Sequence, residues 1–319
     1  MTLTKIAQLA HVSVSTASKA FSMSNDVNEQ TREKIFEIAR ENGCFKKYYR
    51  AEYPRFVIAV ICPEFKSTHY AQLLSLFQKH LSENNCEICV AATDFSQETE
   101  KKLTEYYSHY ASIDGIIFIN RRSRIDHECE VPIAIINSDP ESICDIKVSR
   151  YYGEKISEAI DYFISRGVND IGFIGEKNTD AKYNLFCEYM KEKCGGVVKD
   201  NLAVTEKRFE DGGYHAVKEF FERGHVPRAI ICAYDCMAVG AMRCIHDKGL
   251  RVPEDVAIMG MDDIPEARYL TPTLSSINPH NDEIAQKVTR AMLDRINGNE
   301  FQSEISVEYE LNLRESTKI

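Results

Sequence analysis

Hydroxyl and ammonium groups gather on one face of a short segment near the start of the chain. Segment 14–21 places Ser15, Thr16 and Lys19 on the side away from its apolar residues, and it contains no acidic residue. Hydroxyls and lysine ammonium groups can donate hydrogen bonds to phosphate oxygens and to base edges. This face therefore has the chemistry of a surface that contacts nucleic acid.

Three predicted helices position that face. Apolar residues recur at helical spacing in 4–10, in 14–21 and in 28–39. The Ser13 hydroxyl is suited to cap the second helix, and Asn28 is suited to cap the third. A short helix, a tight turn and a second helix form a helix-turn-helix, whose second helix lies in the DNA major groove. An ordinary small helical domain is the alternative that this pattern alone leaves open.

The distribution of charge favours DNA binding over that alternative. Residues 1–55 contain nine Lys or Arg and six Asp or Glu, a net charge of +3. The whole chain carries −10, so residues 56–319 carry −13. A basic head on an acidic body is expected of a protein that holds phosphates with one part only, because cations supply most of the attraction to DNA.

The composition limits the class of protein and the cellular compartment that we expect. A chain of 319 residues with 44% hydrophobic residues is long enough for two or three globular domains. It contains no 18-residue apolar segment and no apolar N-terminal run, so we expect a cytoplasmic protein without contact to membranes. The eleven cysteines are scattered, and the pair Cys86-x-x-Cys89 has no second pair to complete a metal site. We expect no metal and no cofactor.

The body is predicted to be an α/β structure, because short apolar runs alternate with amphipathic helices. The runs are 56–62, 86–92, 115–119, 133–137, 171–175, 229–233 and 256–260. The helices are expected at about 70–83, 153–166, 182–193, 212–223, 236–248 and 281–297. Strands buried on both faces and joined by helices form a doubly wound parallel sheet. The pattern restarts near residue 150, which favours two lobes with ligands held beyond the carboxyl ends of the strands.

Longer motifs resemble the lactose/galactose repressor (LacI/GalR) family of bacterial regulators. They are segments 3–21, 27–35, 235–241, 249–263, 267–277 and 310–317. The resemblance implies a homodimer or tetramer that binds two-fold operator DNA. It also implies a periplasmic-binding-protein-like body that closes on a small effector, and it implies no enzymatic activity. No heptad-rich segment follows Thr317, so a dimer is expected.

The resemblance divides the chain into a head, a linker and a two-lobed body. We expect a helix-turn-helix domain at 1–45, a basic linker or hinge at 46–55, and an effector-binding and dimerisation domain at 56–319. Within the body, the expected lobes are about 56–149 with 279–302 and about 150–278 with 303–319.

The resemblance also implies which residues of the head contact DNA. The residues expected at base edges are Val14, Ser15, Thr16 and Lys19. The residues expected at phosphates are Ser13, Ser18, Thr31 and Arg32, with Lys46 and Lys47 in a flexible arm. Lys19 can reach guanine O6 and N7, and Val14 can contact a thymine methyl group.

The linker departs from the family pattern. Family members insert a hinge-helix leucine into the minor groove, but no leucine lies between Gly43 and Phe56. Tyr48, Tyr49 or Tyr53 is an alternative insertion residue, and phosphate contacts by the basic side chains are the expectation that we favour.

The expected effector pocket also differs from the family pattern. Its expected residues are His69, Tyr70, Asn120, Asn137, Arg150, Lys182, Tyr234 and Asp262. Lys182 stands where the family has a sugar-binding arginine, and Tyr234 stands where it has an asparagine. The Asp262 carboxylate can accept hydrogen bonds from two vicinal hydroxyls, whereas Arg150 suits a carboxylate or a phosphate. A neutral sugar, a sugar phosphate and a sugar acid all remain open as effectors.

These features favour a sequence-specific transcriptional regulator, most simply a repressor of carbohydrate-utilisation genes. A solute-binding protein without a regulatory role is the alternative, and the basic head argues against it. An enzyme is not expected, since the sequence contains no P-loop, no nucleophile elbow and no dinucleotide-binding glycine motif. No residue is therefore expected to be catalytic.

Overall fold

The computed structural model of the protein describes residues 1–49, 55–126, 128–137 and 141–319. The chain begins with three helices, α1 (Leu3–Ala10), α2 (Val14–Phe21) and α3 (Glu29–Glu41). Their apolar faces meet in a small core that includes Ile6, Phe21 and Ile35, each at most 2% exposed. The predicted helix-turn-helix is confirmed.

Caps and a left-handed residue define the turn between α1 and α2. His11 ends α1 with φ 59°, which reverses the chain direction. The Ser13 hydroxyl then accepts a hydrogen bond from the amide of Thr16 at 2.9 Å and starts α2. Asn28 caps α3 in the same way, with 2.8 Å between its Oδ1 and the amide nitrogen of Thr31.

A fourth helix, α4 (Phe45–Tyr48), extends the head into the expected linker. Tyr48 and Tyr49 are half-buried against the head, and the Tyr49 ring lies 5.3 Å from the Phe36 ring between centroids. The expected flexible arm therefore begins as a helix, and the Tyr48 and Tyr49 rings pack on the head core. Tyr53 and the rest of 50–54 lie outside the described residues.

The body contains two six-stranded sheets. The strands are β1 (Val57–Cys62), β2 (Glu87–Ala92), β3 (Gly115–Ile119), β4 (Ile133–Ile136), β5 (Ile146–Ser149), β6 (Ile171–Glu176), β7 (Leu202–Thr205), β8 (Ala229–Cys232), β9 (Ala257–Met261), β10 (Ser275–Asn278), β11 (Glu304–Ser306) and β12 (Glu310–Asn312). The helices are α5 (Thr68–Ser82), α6 (Gln97–Glu105), α7 (Gly153–Ser165), α8 (Asp180–Cys194), α9 (Phe209–Glu222), α10 (Asp235–Asp247) and α11 (Asn281–Ile296).

Each sheet forms the centre of one lobe. The strand order is β11-β5-β4-β3-β1-β2 in the first sheet and β12-β10-β9-β8-β6-β7 in the second. All neighbouring strands are parallel except β12, which runs antiparallel to β10. Helices cover both faces, so the expected doubly wound parallel architecture is confirmed. Among the described residues, no helix is long and apolar enough to cross a bilayer.

The chain passes between the lobes after β5, after β10 and after β11. The last passage follows Ser306, so the expected boundary near residue 303 was placed too early. The reason is that β11 pairs with β5 at the edge of the first sheet and buries Ile305 in that lobe. Strands β5, β7 and β10 were absent from the predicted runs, because each has only four residues and at least half of those in β5 and β10 are polar.

Two glycines allow α9 and α10, which cover the second sheet, to pack closely against each other. A Cβ atom on Gly213 would lie 1.8 Å from the carbonyl oxygen of Met237. A Cβ atom on Gly240 would lie 1.8 Å from the carbonyl oxygen of Glu210. Each helix therefore approaches the backbone of the other at a point where only glycine fits.

We expect Gly213→Ala to lower the free energy of unfolding of the second lobe by about 1–3 kcal/mol, as overpacking does. In an open helix position the same change stabilises by about 1 kcal/mol, so the sign separates the two cases. Chemical denaturation measures the change. Lys218→Ala, on an exposed position of α9, serves as the control and should change little. A stability gain in Gly213→Ala would contradict the close packing.

Candidate DNA-binding surface and inter-lobe cleft

The outer face of α2 is open to solvent. Ser15 and Ser18 are exposed, and Val14 is 45% exposed although it is apolar. Leu9 on α1 is 43% exposed beside the turn. Exposed apolar groups at the start of a recognition helix are suited to contact thymine methyl groups.

Lys19 forms an ion pair with Asp26. Its Nζ lies 2.7 Å from Oδ2 of Asp26, and both side chains are at least half exposed. The hydrogen bond from Lys19 lowers the pKa of Asp26 below its usual range. A base contact by Lys19 would have to replace this pair.

Two of the expected phosphate contacts also have structural partners. Arg32 donates hydrogen bonds to the carbonyl oxygens of Ser24 and Val27, at 2.7 Å and 3.0 Å, and so fixes the loop before α3. The Ser13 and Thr16 hydroxyls lie 2.8 Å apart. Thr31 is half-buried, and the side chains of Lys46 and Lys47 lie outside the described part of the chain.

A cleft of about 290 Å³ lies between the lobes, at the small end of the range for ligand sites. All eight residues expected at the effector line it, from His69 in the first lobe to Asp262 in the second. The carboxyl ends of the parallel strands in both sheets point to this cleft, as they do in other open α/β sheets. The structure therefore brings together side chains that lie up to 193 positions apart in the sequence.

Three of the polar lining residues follow strands with left-handed backbone. Asn120, Asn137 and Asp262 have φ values of 56°, 57° and 108°. Asn and Asp tolerate positive φ better than other side chains, because a short polar group can hydrogen-bond locally. This backbone turns each side chain out of its sheet and toward the cleft.

Uncharged aromatic groups occupy the first-lobe wall. Burial lowers the pKa of His69 to about 4 and raises the pKa of Tyr70 to about 12, so both are neutral at pH 7. His69 Nδ1 lies 3.5 Å from Asp262 Oδ1 across the cleft. Asn120 donates a hydrogen bond to the Tyr70 hydroxyl at 2.9 Å. The wall offers hydrogen-bonding groups without adding charge.

Arg150 and Lys182 are held by uncharged acceptors. Arg150 donates to the side-chain oxygens of Asn137 and Asn281, at 3.2 Å and 3.3 Å. Lys182 donates to the carbonyl oxygen of Ala233 at 2.5 Å. Both cations are half-buried and have donors left for a ligand.

Tyr234 has a structural partner as well as a place in the cleft. Its hydroxyl accepts a hydrogen bond from the amide of Phe209 at 3.0 Å. Burial raises the pKa of Tyr234 above its usual value, so the ring is neutral. The hydroxyl positions the start of α9 and still lines the cleft.

An ion-pair bridge that the sequence does not predict joins the two lobes at the cleft. Arg208, before α9 in the second lobe, donates to both carboxylate oxygens of Glu64 in the first lobe, at 2.7 Å and 2.8 Å. Its Nε also lies 3.3 Å from Oε1 of the buried Glu176. These carboxylates raise the pKa of Arg208 despite its partial burial. No local signal in the sequence connects residues 144 positions apart.

The arrangement is suited to binding and closure. Its side chains supply hydrogen-bond donors, acceptors and aromatic faces that converge from two lobes. Within the described residues, no group of three or more His, Cys, Asp or Glu side chains could hold a metal ion. A ligand that touches both walls would stabilise one angle between the lobes.

Comparisons with known proteins agree with this architecture. The family model for bacterial regulatory proteins of the lacI family matches residues 2–44. The model for a periplasmic binding protein-like domain matches residues 160–317. The two matches together cover the helix-turn-helix head and most of the second lobe.

Curated relatives and solved structures extend over nearly the whole chain. The ribose operon repressor of Haemophilus influenzae is 28% identical, covering 99% of this chain and 98% of the relative. The repressor PurR of Salmonella paratyphi B is 25% identical, covering 92% of this chain and 90% of its own.

Two solved structures share the fold over 99% of both chains. The transcriptional regulator CelR in complex with cellobiose has a TM-score of 0.68 at 23% identity. The lac repressor dimer bound to operator has a TM-score of 0.73 at 18% identity. The chain belongs to the LacI family of bacterial regulatory proteins, and it is a DNA-binding transcriptional regulator.

Proposed function

We propose that this protein is a homodimeric, cytoplasmic repressor of carbohydrate-utilisation genes, controlled by a sugar or sugar derivative between its lobes. The observation that carries the proposal is the convergence of eight polar and aromatic side chains from both lobes in one cleft. The proposal assigns DNA binding to 1–45, coupling to 46–55 and effector binding to 56–319.

The exposed face of α2 is the part that reads DNA in this proposal. Val14, Ser15 and Lys19 contact base edges, while Ser18 contacts a phosphate. Because a two-fold operator presents two half-sites, each head of a dimer reads one of them. The exposed position of these side chains supports the assignment.

In this proposal, the protein responds to the effector by closing the cleft. Asn120 in the first lobe and Asp262 in the second contact the same ligand, which favours one angle between the lobes. A dimer whose heads are attached to the first lobes can then have two head spacings, one for each angle. An effector that prefers one angle shifts the population between DNA-competent and DNA-incompetent dimers.

We expect Lys19→Ala to reduce specific operator binding by about 1–3 kcal/mol and to relax the preference at one base position. The reason is the loss of an ammonium group that can reach guanine O6 and N7. Quantitative electrophoretic shift assays with the operator and with single-base variants measure both effects. An equal loss on all sequences would instead make Lys19 a phosphate contact.

Asp26→Asn is the matched variant, because it frees Lys19 from its ion pair without removing the ammonium group. It should leave the base preference unchanged and should not weaken operator binding. A loss of specificity in Asp26→Asn as large as that in Lys19→Ala would mean that the ion pair, and not a base contact, orders the head.

Asp262→Asn should abolish the effect of the effector on operator binding while leaving effector-free affinity near that of the wild type. The amide keeps the side-chain volume but replaces one of the two acceptor oxygens with an NH2 donor and removes the charge, so it cannot accept one hydrogen bond at each end of the group. Electrophoretic shift assays with and without a panel of sugars measure the response. Asp200→Asn, an exposed position in the same lobe, is the control. A normal response in Asp262→Asn would remove Asp262 from the effector site.

Glu64→Gln should open the effector-free cleft, because Arg208 would lose its charged partner in the first lobe. Hydrogen bonds to charged groups contribute about 1.5–3 kcal/mol each, enough to change the open population. Small-angle scattering should show a larger radius of gyration, and Lys207→Gln, which breaks an ion pair within the second lobe, should not. An unchanged radius in Glu64→Gln would mean that other contacts hold the cleft closed.

A further inference from the structure

We propose that the effector is an anionic sugar derivative, whose phosphate or carboxylate lies between Arg150 and Lys182 and whose hydroxyls bind Asp262. This inference rests on the proposed function, which places an effector in the cleft. It excludes a neutral sugar as the natural effector and assigns the two ends of the ligand to different side chains.

The first support is the set of partners around Arg150. Its Nε and Nη1 donate to the amide oxygens of Asn137 and Asn281, which orient the guanidinium but carry no charge. Its Cζ lies 5.8 Å from the centre of the Tyr309 ring. A half-buried guanidinium held in one orientation, with donors to spare, matches the planar fork that binds carboxylate or phosphate.

The second support is the set of partners around Lys182. Its Nζ donates to one backbone carbonyl oxygen, which leaves two of its three N–H donors for a ligand. The Tyr152 ring lies 5.8 Å away. Among residues 1–49, 55–126, 128–137 and 141–319, no carboxylate oxygen lies within 4 Å of either Arg150 or Lys182.

The charges of Arg150 and Lys182 both influence the region of the cleft around His69. The imidazole of His69 contacts Asp262, and the charges of Asp262, Arg150 and Lys182 all influence its pKa. His69 is itself neutral at pH 7, since burial lowers its pKa to about 4. This region therefore has two cations and one carboxylate, an excess of one positive charge.

The remaining charged groups of the cleft do not remove that excess. Glu64 and Glu176 are both bound by Arg208, and these three groups together carry one negative charge. Arg122 is exposed at the rim and donates to the uncharged side-chain oxygen of Asn178, so its positive charge balances that negative charge. A neutral ligand would exclude water from Arg150 and Lys182 without supplying a counter-charge, and that is unfavourable. An anionic group supplies it.

Inorganic phosphate is the first probe, because it tests the anion site whatever sugar the effector contains. We expect the unfolding temperature of the full-length protein to be higher in sodium phosphate than in sodium chloride of equal ionic strength. The expected cause is binding of phosphate to the native state, on top of the general stabilisation by phosphate that all variants share. Arg150→Gln and Lys182→Met should each remove most of this difference.

A matched control removes the same kind of charge elsewhere. Lys191→Met with Lys199→Met deletes two exposed cations of the second lobe, one of them on α8 with Lys182. This variant should keep the phosphate-dependent difference. If Lys182 only tethers α8 to Ala233, Lys182→Met will lower the unfolding temperature equally in both salts, and that outcome overturns its role in the anion site.

Calorimetric titration with paired sugars tests the second half of the inference. The pairs are D-glucose with D-glucose 6-phosphate, D-glucose with D-gluconate, and D-ribose with D-ribose 5-phosphate. We expect the anionic member of at least one pair to bind at least tenfold more tightly, and Lys182→Met to reduce that preference to less than threefold. The phosphates and gluconate distinguish a phosphate ligand from a carboxylate ligand.

The possible failures are distinguishable. A neutral sugar that binds at least as tightly as its anionic partners and changes operator binding overturns the anionic effector but leaves the proposed function intact. The absence of any phosphate-dependent stabilisation in the wild type overturns the anion site itself. A phosphate-stabilised protein whose operator binding responds to none of the sugars, although it binds one of them, contradicts the proposed regulation instead.

Discussion

The carboxylate of Asp235, at the start of α10, fixes the part of the second lobe that forms the cleft. It is fully buried and accepts hydrogen bonds from the Ser276 hydroxyl at 2.6 Å and from the amide of Ile264 at 2.8 Å. Burial raises the pKa of this carboxyl well above its usual range. A Cβ atom on Gly260 would lie 2.0 Å from its Oδ1, so glycine is required there. The loop that presents Asp262 to the cleft is thus held from both sides.

A second set of contacts ties the end of the chain to the same loop. Asp263 is buried and accepts a hydrogen bond from the Arg314 guanidinium at 2.6 Å. Ser316 donates to the carbonyl oxygen of Ile258 at 2.6 Å. The C-terminal segment therefore stabilises the strand ends that carry the cleft-lining residues, which gives the closing motif of the sequence a physical role.

Strands without polar residues, such as β1, β3 and β8, could be predicted because they are buried on both faces. The lining of the cleft followed from the rule that ligands bind beyond strand ends, together with the family resemblance. The Arg208–Glu64 bridge could not be predicted, because it exists only when two separately folded lobes come together. Arg32 was expected at a phosphate, but its inward orientation depends on carbonyl oxygens of a loop whose path no sequence pattern specifies.

Three separate passages of chain join the lobes, at 150–152, 279–280 and 307–309. One connection would let the lobes twist about a bond, whereas three connections side by side resist twisting and sliding. Opening and closing is the motion that remains easy. If an effector binds there as proposed, its length determines the width of the cleft. Two ligands with the same functional groups but different lengths would then give different angles between the lobes, and so different positions of the attached heads.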